Sequence, residues 1–293
     1  MDVHVRGGPA HPFLGARDLF ETEHDLDRPV SVDVRDDPTE RTRVSHDDES
    51  HLLTISRAAA TSAMARELAL HEFAHMARYE QAHPSHVQST EEAIFLALSG
   101  TSVERRTVAH CYQIANHAKD IYADDVWLQL APADKLVSFL ESSLAAAVAD
   151  RPSAYDDSAV NGGANSGGAN GGGAAGPAAW HRVASESPRI RRPEKPASRL
   201  TPAADPEITA VNAAFALAIC ERHDLVDRGH RLYDLARVAA ADAPAVDVAA
   251  FRRRFRSLAH DTDESEYRKD LVDLTRAYAD ASASGGSPDA AAD

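Results

Sequence analysis

From Asn161 to Gly176 the chain reads NGGANSGGANGGGAAG, a tract with no side chain able to contribute to a hydrophobic core, and Pro-rich SPRIRRPEKPASR follows it. No regular element can be built on such a stretch, so residues 151–204 are expected to be a flexible Gly/Ala/Pro-rich linker. That divides the chain into a domain at 1–150, a helical domain at 205–280 and a disordered tail at 281–293. The linker also holds the main basic cluster, Arg189, Arg191, Arg192, Lys195 and Arg199, which reads as a solvated tether.

Before the linker the pattern is mixed. PVSVDVRD alternates Val30, Val32 and Val34 toward one face, and HLLTISR is a second short strand ending near Arg57. A long helix is predicted from about Ala58 to Gln81, because Met64, Leu68, His71 and His75 fall at spacings of 4, 3 and 4 on one helical face. QSTEEAIFLALSG has the signature of a capped helix, with Ser89 or Thr90 at its start and Gly100 as its stop. Further helices are expected near 102–121 and 132–149. After the linker, DPEITAVNAAFALAICERHDL opens with an acidic, Pro-containing first turn, and three shorter helices follow near 228–240, 246–258 and 264–280. The expected fold is therefore mainly α, with an α+β N-terminal half and a C-terminal helical bundle.

Charge narrows the function classes. Forty-six acidic residues against thirty-one basic ones give a formal net charge of -15, which disfavours nucleic acid or an anionic membrane as partner. Only four lysines occur (Lys119, Lys135, Lys195 and Lys269), so nearly all positive charge is arginine. Abundant aspartate with few lysines suits a surface that must stay hydrated in concentrated salt, where charge repulsion is screened within about 3 Å. No basic patch followed by an apolar run opens the chain, and no apolar stretch approaches a membrane span. A soluble, cytoplasmic protein is expected. Cys111 and Cys220 lie far apart inside helical patterns and read as core thiols.

The chemistry concentrates in His71-Glu72-Phe73-Ala74-His75. Two histidines four apart on a helix point to one side, with Cα atoms about 6 Å apart along the axis, so both imidazoles can reach one metal ion at about 2 Å. Glu72 follows the first ligand. In an HExxH site it does not ligate; it accepts a proton from a zinc-activated water and so generates a nucleophile for a peptide carbonyl. The neighbours Ala69, Leu70, Phe73, Ala74, Met76 and Ala77 are all uncharged, as a buried active-site helix requires.

On these residues, with a strand immediately before the helix, the segment resembles the zincin metallopeptidases, in which a strand edge aligns substrate beside the HExxH helix. The resemblance covers about residues 50–100 and implies Zn2+ as cofactor, a peptide or protein as substrate, and a third protein ligand. Metzincin spacing fails, because Arg78 and Gln81 stand where a glycine and a histidine are needed. A gluzincin-like arrangement takes the ligand from a second helix, where Glu91 and Glu92 lie sixteen and seventeen residues after His75. Glu92, in a Glu-Ala segment loosely similar to that of ImmA/IrrE-type peptidases, is the favoured ligand, although no Asp follows either glutamate by four residues as it does in thermolysin-like enzymes. Glu92 also reads as a capping partner of Ser89. Glu91 remains open, as do His83 and His86, since SprT-type proteases use a histidine beyond the HExxH helix.

Downstream, VAHCYQIANHAKDIYADD sets His110, Ile114, His117 and Ile121 on one helical face. Its histidines and Tyr122 can orient a ligand or stabilise an oxyanion, but hydrogen-bonded core histidines are the favoured reading. His223 and His230 flank a turn and are expected to face solvent. Over its whole length the chain also resembles a family of halophilic archaeal proteins of unknown function, through HEFAHMARYEQ, HCYQIANH and ESSLAAAVADRP. The resulting expectation is a zinc metallopeptidase with His71, His75 and Glu92 as metal ligands and Glu72 as general base. The alternative is a helical interaction or regulatory module whose metal site is structural or degenerate.

Overall fold

The computed structural model describes residues 1–37, 40, 42–150 and 205–285. The proposed linker at 151–204 lies outside the described residues, as does most of the tail expected at 281–293, whose first five residues, 281–285, are helical. In chain order the elements are β1 (Val3–Arg6), α1 (His11–Phe20), β2 (Val30–Arg35), β3 (Arg43–His46), β4 (His51–Ser56), α2 (Arg57–Ala60), α3 (Ala65–Glu80), α4 (Pro84–Val87), α5 (Thr90–Leu98), α6 (Arg105–Trp127), α7 (Asp134–Ala149), α8 (Pro206–Arg222), α9 (Arg231–Asp242), α10 (Val248–Arg256) and α11 (Glu264–Gly285). The fold is mainly helical, with a small mixed sheet confined to the N-terminal end.

The sheet has the order β1-β2-β4-β3. β1, β2 and β4 are parallel, with Val3 opposite Val30 and Val30 opposite His51, whereas β3 runs antiparallel at the edge, with His46 opposite His51. The alternation read in PVSVDVRD is the buried face of β2: Val30, Val32 and Val34 are buried and the residues between them are not. β1 and α1 carry no strong local signal, and the sequence did not reveal them. They are placed by a tight turn in which Gly7 adopts φ 77° and a Cβ would stand 2.3 Å from the Val34 carbonyl oxygen, so only glycine fits.

The predicted helix at 58–81 is interrupted. Ser56 caps a single turn, α2, by accepting from the Ala59 N–H, and the chain turns once more before α3 begins. Every residue of α3 from Glu67 to Ala77 is buried, since α1 packs on one side and α6 on another. A helix buried all round belongs in the middle of a protein, and α3 occupies that place, carrying Glu67, His71, Glu72 and His75 in with its apolar residues.

The stretches 1–150 and 205–280 share one continuous hydrophobic cluster that runs from Val3 to Tyr278. α8 packs against α6, α7, α9 and α10, and α11 against α5 and α6. Both cysteines are buried and free. The ion pair between Asp125 of α6 and Arg222 of α8 has two contacts of 2.7 Å, with side chains only 3% and 5% exposed. No described helix is long and apolar enough to cross a membrane.

Candidate metal centre

α3 presents His71 and His75 one turn apart, and α6 lies against that face with Asp120 and Asp124 one turn apart. His71 meets Asp124 while His75 meets Asp120, the pairing order of antiparallel helices. Three atoms converge. His75 Nε2 is 3.0 Å from His71 Nε2 and 3.3 Å from Asp120 Oδ1, and His71 Nε2 is 3.7 Å from the same oxygen. An ion held tetrahedrally at about 2.0–2.1 Å from three ligands needs them roughly 3.3–3.4 Å apart, so this triangle is of the right size. His71, His75 and Asp120 could hold a metal ion, and all three are buried.

The remaining atoms of these ligands are held in place. His71 Nδ1 lies 2.9 Å from Asp124 Oδ1, which also accepts from the Trp127 indole N–H at 2.6 Å. The ring is thereby turned so that Nε2 faces His75 and Asp120, the arrangement in which a carboxylate behind a histidine fixes its orientation. His117 Nδ1 stands 3.7 Å from Asp120 Oδ2, and its Nε2 is 2.8 Å from Asn212 Oδ1. His75 Nδ1 faces away from the triangle, 2.7 Å from His86 Nε2.

Burial governs the electrostatics. It lowers the affinity of His71 for a proton, but Asp120 and Asp124 outweigh it and hold this imidazole well above its ordinary pKa. Burial raises the Glu72 carboxyl above its usual range, and His75 and His71 only partly offset that. Glu72 is 2% exposed, and its Oε2 has no hydrogen-bond partner among the described residues. A cavity adjoins the centre, with His71, Asp120 and Asp124 at its polar end and Leu136, Leu140, Phe215 and Ile219 of α7 and α8 forming apolar wall.

A family model described as a family of unknown function (DUF5781) matches residues 1–171 and 178–280. The chain belongs to this family. No curated protein and no solved structure matches it.

Within this DUF5781 chain, the structure brings three of the sequence-predicted site residues together and leaves the fourth elsewhere. His71, Glu72 and His75 share the buried core of α3. Glu92, the expected third ligand, is exposed on α5 and stands outside the cluster; its backbone N–H is the donor to the Ser89 cap, at 3.2 Å. Glu91 is exposed as well, and a hydrogen bond to a cap needs no metal. His86 touches the centre through the far side of His75, and His83 lies further out, linked to His86 through Ser85.

The carboxylate in the cluster is Asp120, which sequence reading passed over although it singled out His110, His117 and Tyr122 in the same segment. Two signals pointed to it. Asp120, Asp124 and Asp125 sit among Ile121, Tyr122, Ala123, Val126 and Trp127, where buried acids demand partners. An Asp four residues beyond the carboxylate, missing after Glu91 and Glu92, is present after Asp120.

Of the other histidines singled out in the sequence, His110, His117, His223 and His230 have structural partners. His110 Nδ1 is 2.6 Å from the Tyr278 hydroxyl, and its Nε2 is 3.6 Å from Asp205. His110, Asp205 and Glu207 also lie close enough together to hold a cation, but Arg106 already bridges both acids at 3.2 and 2.9 Å. His117 stacks on Phe215 with ring centroids 4.3 Å apart. The expectation that His223 faces solvent is corrected, because it reaches Asp125 at 3.1 Å, while His230 caps α9.

Proposed function

We propose that the chain is a zinc-dependent, zincin-like hydrolase acting on peptide bonds, with His71, His75 and Asp120 as metal ligands, in place of the expected Glu92, and Glu72 as general base. One observation carries this reading: two imidazole nitrogens and a carboxylate oxygen form a buried triangle of metal-site dimensions, and the intervening HExxH glutamate is buried beside it. The donor set fits zinc, since nitrogen and carboxylate ligands suit it and His71 and His75 both have a partner on the second ring nitrogen. Zinc bound there would supply Lewis acidity toward a carbonyl group and water.

The protein's own groups supply the rest. Glu72 Oε2, without a partner and with its affinity for protons raised by burial, is suited to take a proton during attack and return it to the leaving amine. Asp124 and Trp127 fix the His71 ring, and His117 and Asn212 stand behind Asp120. α7 and α8 line the adjoining cavity with apolar side chains. A cytoplasmic location, and folding that depends on molar salt, belong to this proposal through the acidic, lysine-poor composition.

A second reading, a structural metal site in an interaction module, is favoured by one fact: His71, Glu72, His75 and Asp120 are all at most 3% exposed. Glu72→Gln separates the two. Zinc per chain is measured by elemental analysis in molar KCl, and hydrolysis of a diverse peptide mixture is followed in parallel. A hydrolase retains about one zinc and loses roughly 10²–10⁴-fold in rate. Zinc in both proteins with hydrolysis in neither makes the site structural.

A further inference from the structure

We propose that His86 is a positioning residue for the metal centre, the first link of a relay His75–His86–Ser85–His83 that holds His75 in the tautomer with a bare Nε2. This rests on the reading of His71, His75 and Asp120 as a metal centre only for its purpose. The relay itself stands on geometry. Its three side-chain contacts, His75 Nδ1 to His86 Nε2, His86 Nδ1 to Ser85 Oγ and Ser85 Oγ to His83 Nδ1, are each 2.7 Å.

Its polarity is fixed at the far end. The Ser85 backbone N–H can only donate, and it points at His83 Nδ1 at 3.3 Å. His83 Nδ1 therefore offers a lone pair, and the Ser85 hydroxyl donates to it. Ser85 Oγ is then free to accept from His86 Nδ1–H, and His86 Nε2 becomes an acceptor. His75 Nδ1 must carry the proton that completes the chain. Its Nε2 is left bare, which is the form a metal needs.

The backbone is bent to make this possible. Ala82, directly after α3, adopts φ 50°, and the His83 N–H bonds back to the Arg78 carbonyl at 2.9 Å. A left-handed conformation is disfavoured for a residue with a Cβ. The reversal starts α4 at Pro84 and brings Ser85 and His86 back beside the helix they have just left.

The test reads the tautomer directly. The His75 ring nitrogens are assigned by ¹⁵N NMR in the metal-free full chain, for the wild type, His86→Ala and His86→Gln. The expected result is Nδ1–H at His75 in the wild type, a shift toward Nε2–H in His86→Ala, and recovery in His86→Gln, whose amide oxygen can accept the same bond. Zinc titration against a chromophoric chelator should show His86→Ala binding about 10- to 100-fold more weakly and His86→Gln close to wild type. Nε2–H at His75 in the wild type, or an unchanged tautomer in His86→Ala, overturns the relay whatever the zinc result. A wild type with the expected tautomer that binds no zinc overturns the metal reading and leaves the relay standing. If His86→Ala does not fold, Ser85→Ala breaks the next link, and an unchanged His75 tautomer there refutes the proposal equally.

Discussion

Replacing Asp120 should weaken zinc binding where replacing Glu92 does not, and the size of the difference can be worked out. Four-ligand zinc sites bind with roughly 10–16 kcal/mol, a share of about 2.5–4 kcal/mol for each ligand, or roughly 10²–10³ in affinity. Asp124 Oδ1 is already engaged, meeting His71 at 2.9 Å and accepting from the Trp127 indole at 2.6 Å. Asp120 also helps hold a proton on His71 in the metal-free protein, so the near-isosteric Asp120→Asn accompanies Asp120→Ala as a control for folding. The assay is chemical denaturation in molar KCl, with and without zinc at 100 times the wild-type Kd. Zinc should add about 2.7 kcal/mol of stability to the wild type and to Glu92→Ala, but under about 0.5 kcal/mol to either Asp120 variant. An Asp120 variant that keeps more than about 2 kcal/mol of zinc stabilisation, or a Glu92→Ala protein that loses it, would refute the ligand assignment.

Two predictions concern the frame around the centre. Asp125→Asn leaves the Arg222 guanidinium buried without its carboxylate; its bonds to the Arg256 and Leu258 carbonyls at 2.9 and 2.7 Å persist but do not neutralise it. The loss should be about 3–5 kcal/mol, seen as a fall in Tm of roughly 6–20 °C, and it should persist in high salt because the pair is shielded from solvent. A loss below about 1 kcal/mol would show that the pair does not join α6 to α8. The second prediction is a pH dependence. Burial, with His51 and His75 nearby, lowers the His46 pKa to about 3, whereas in the unfolded chain it is about 6.5. The unfolded state therefore binds more protons between those values, so the stability tied to a neutral His46 is complete above about pH 6.5 and is lost as pH falls toward 3. Denaturation midpoints across that window should fall less steeply in His46→Gln, and an identical slope would rule this contribution out.

The sequence by itself determined whatever depends on neighbours along the chain. The alternating valines of β2, the cap of α5 at Ser89 and the Pro start of α8 are local, and each stands within a residue or two of its expected place. So do His71 and His75, because a spacing of four on a helix puts two rings on one side whatever packs against them. What the centre contains beyond that pair was decided by tertiary structure. Asp120 comes forty-five residues after His75 and becomes its neighbour only because α6 lies antiparallel on α3, whereas Glu92, seventeen residues away, is carried to the surface by α5. His86 could be read from sequence as a rival ligand, but the reversal at Ala82 sets it behind the His75 ring, and no periodicity encodes which nitrogen of an imidazole a neighbour will meet. The joining of the two halves was equally illegible, since the apolar faces of α8 and α11 announce burial without naming the helices that cover them. Local spacing fixes which way a side chain leaves its own helix, and only the packing of distant helices fixes what it meets there.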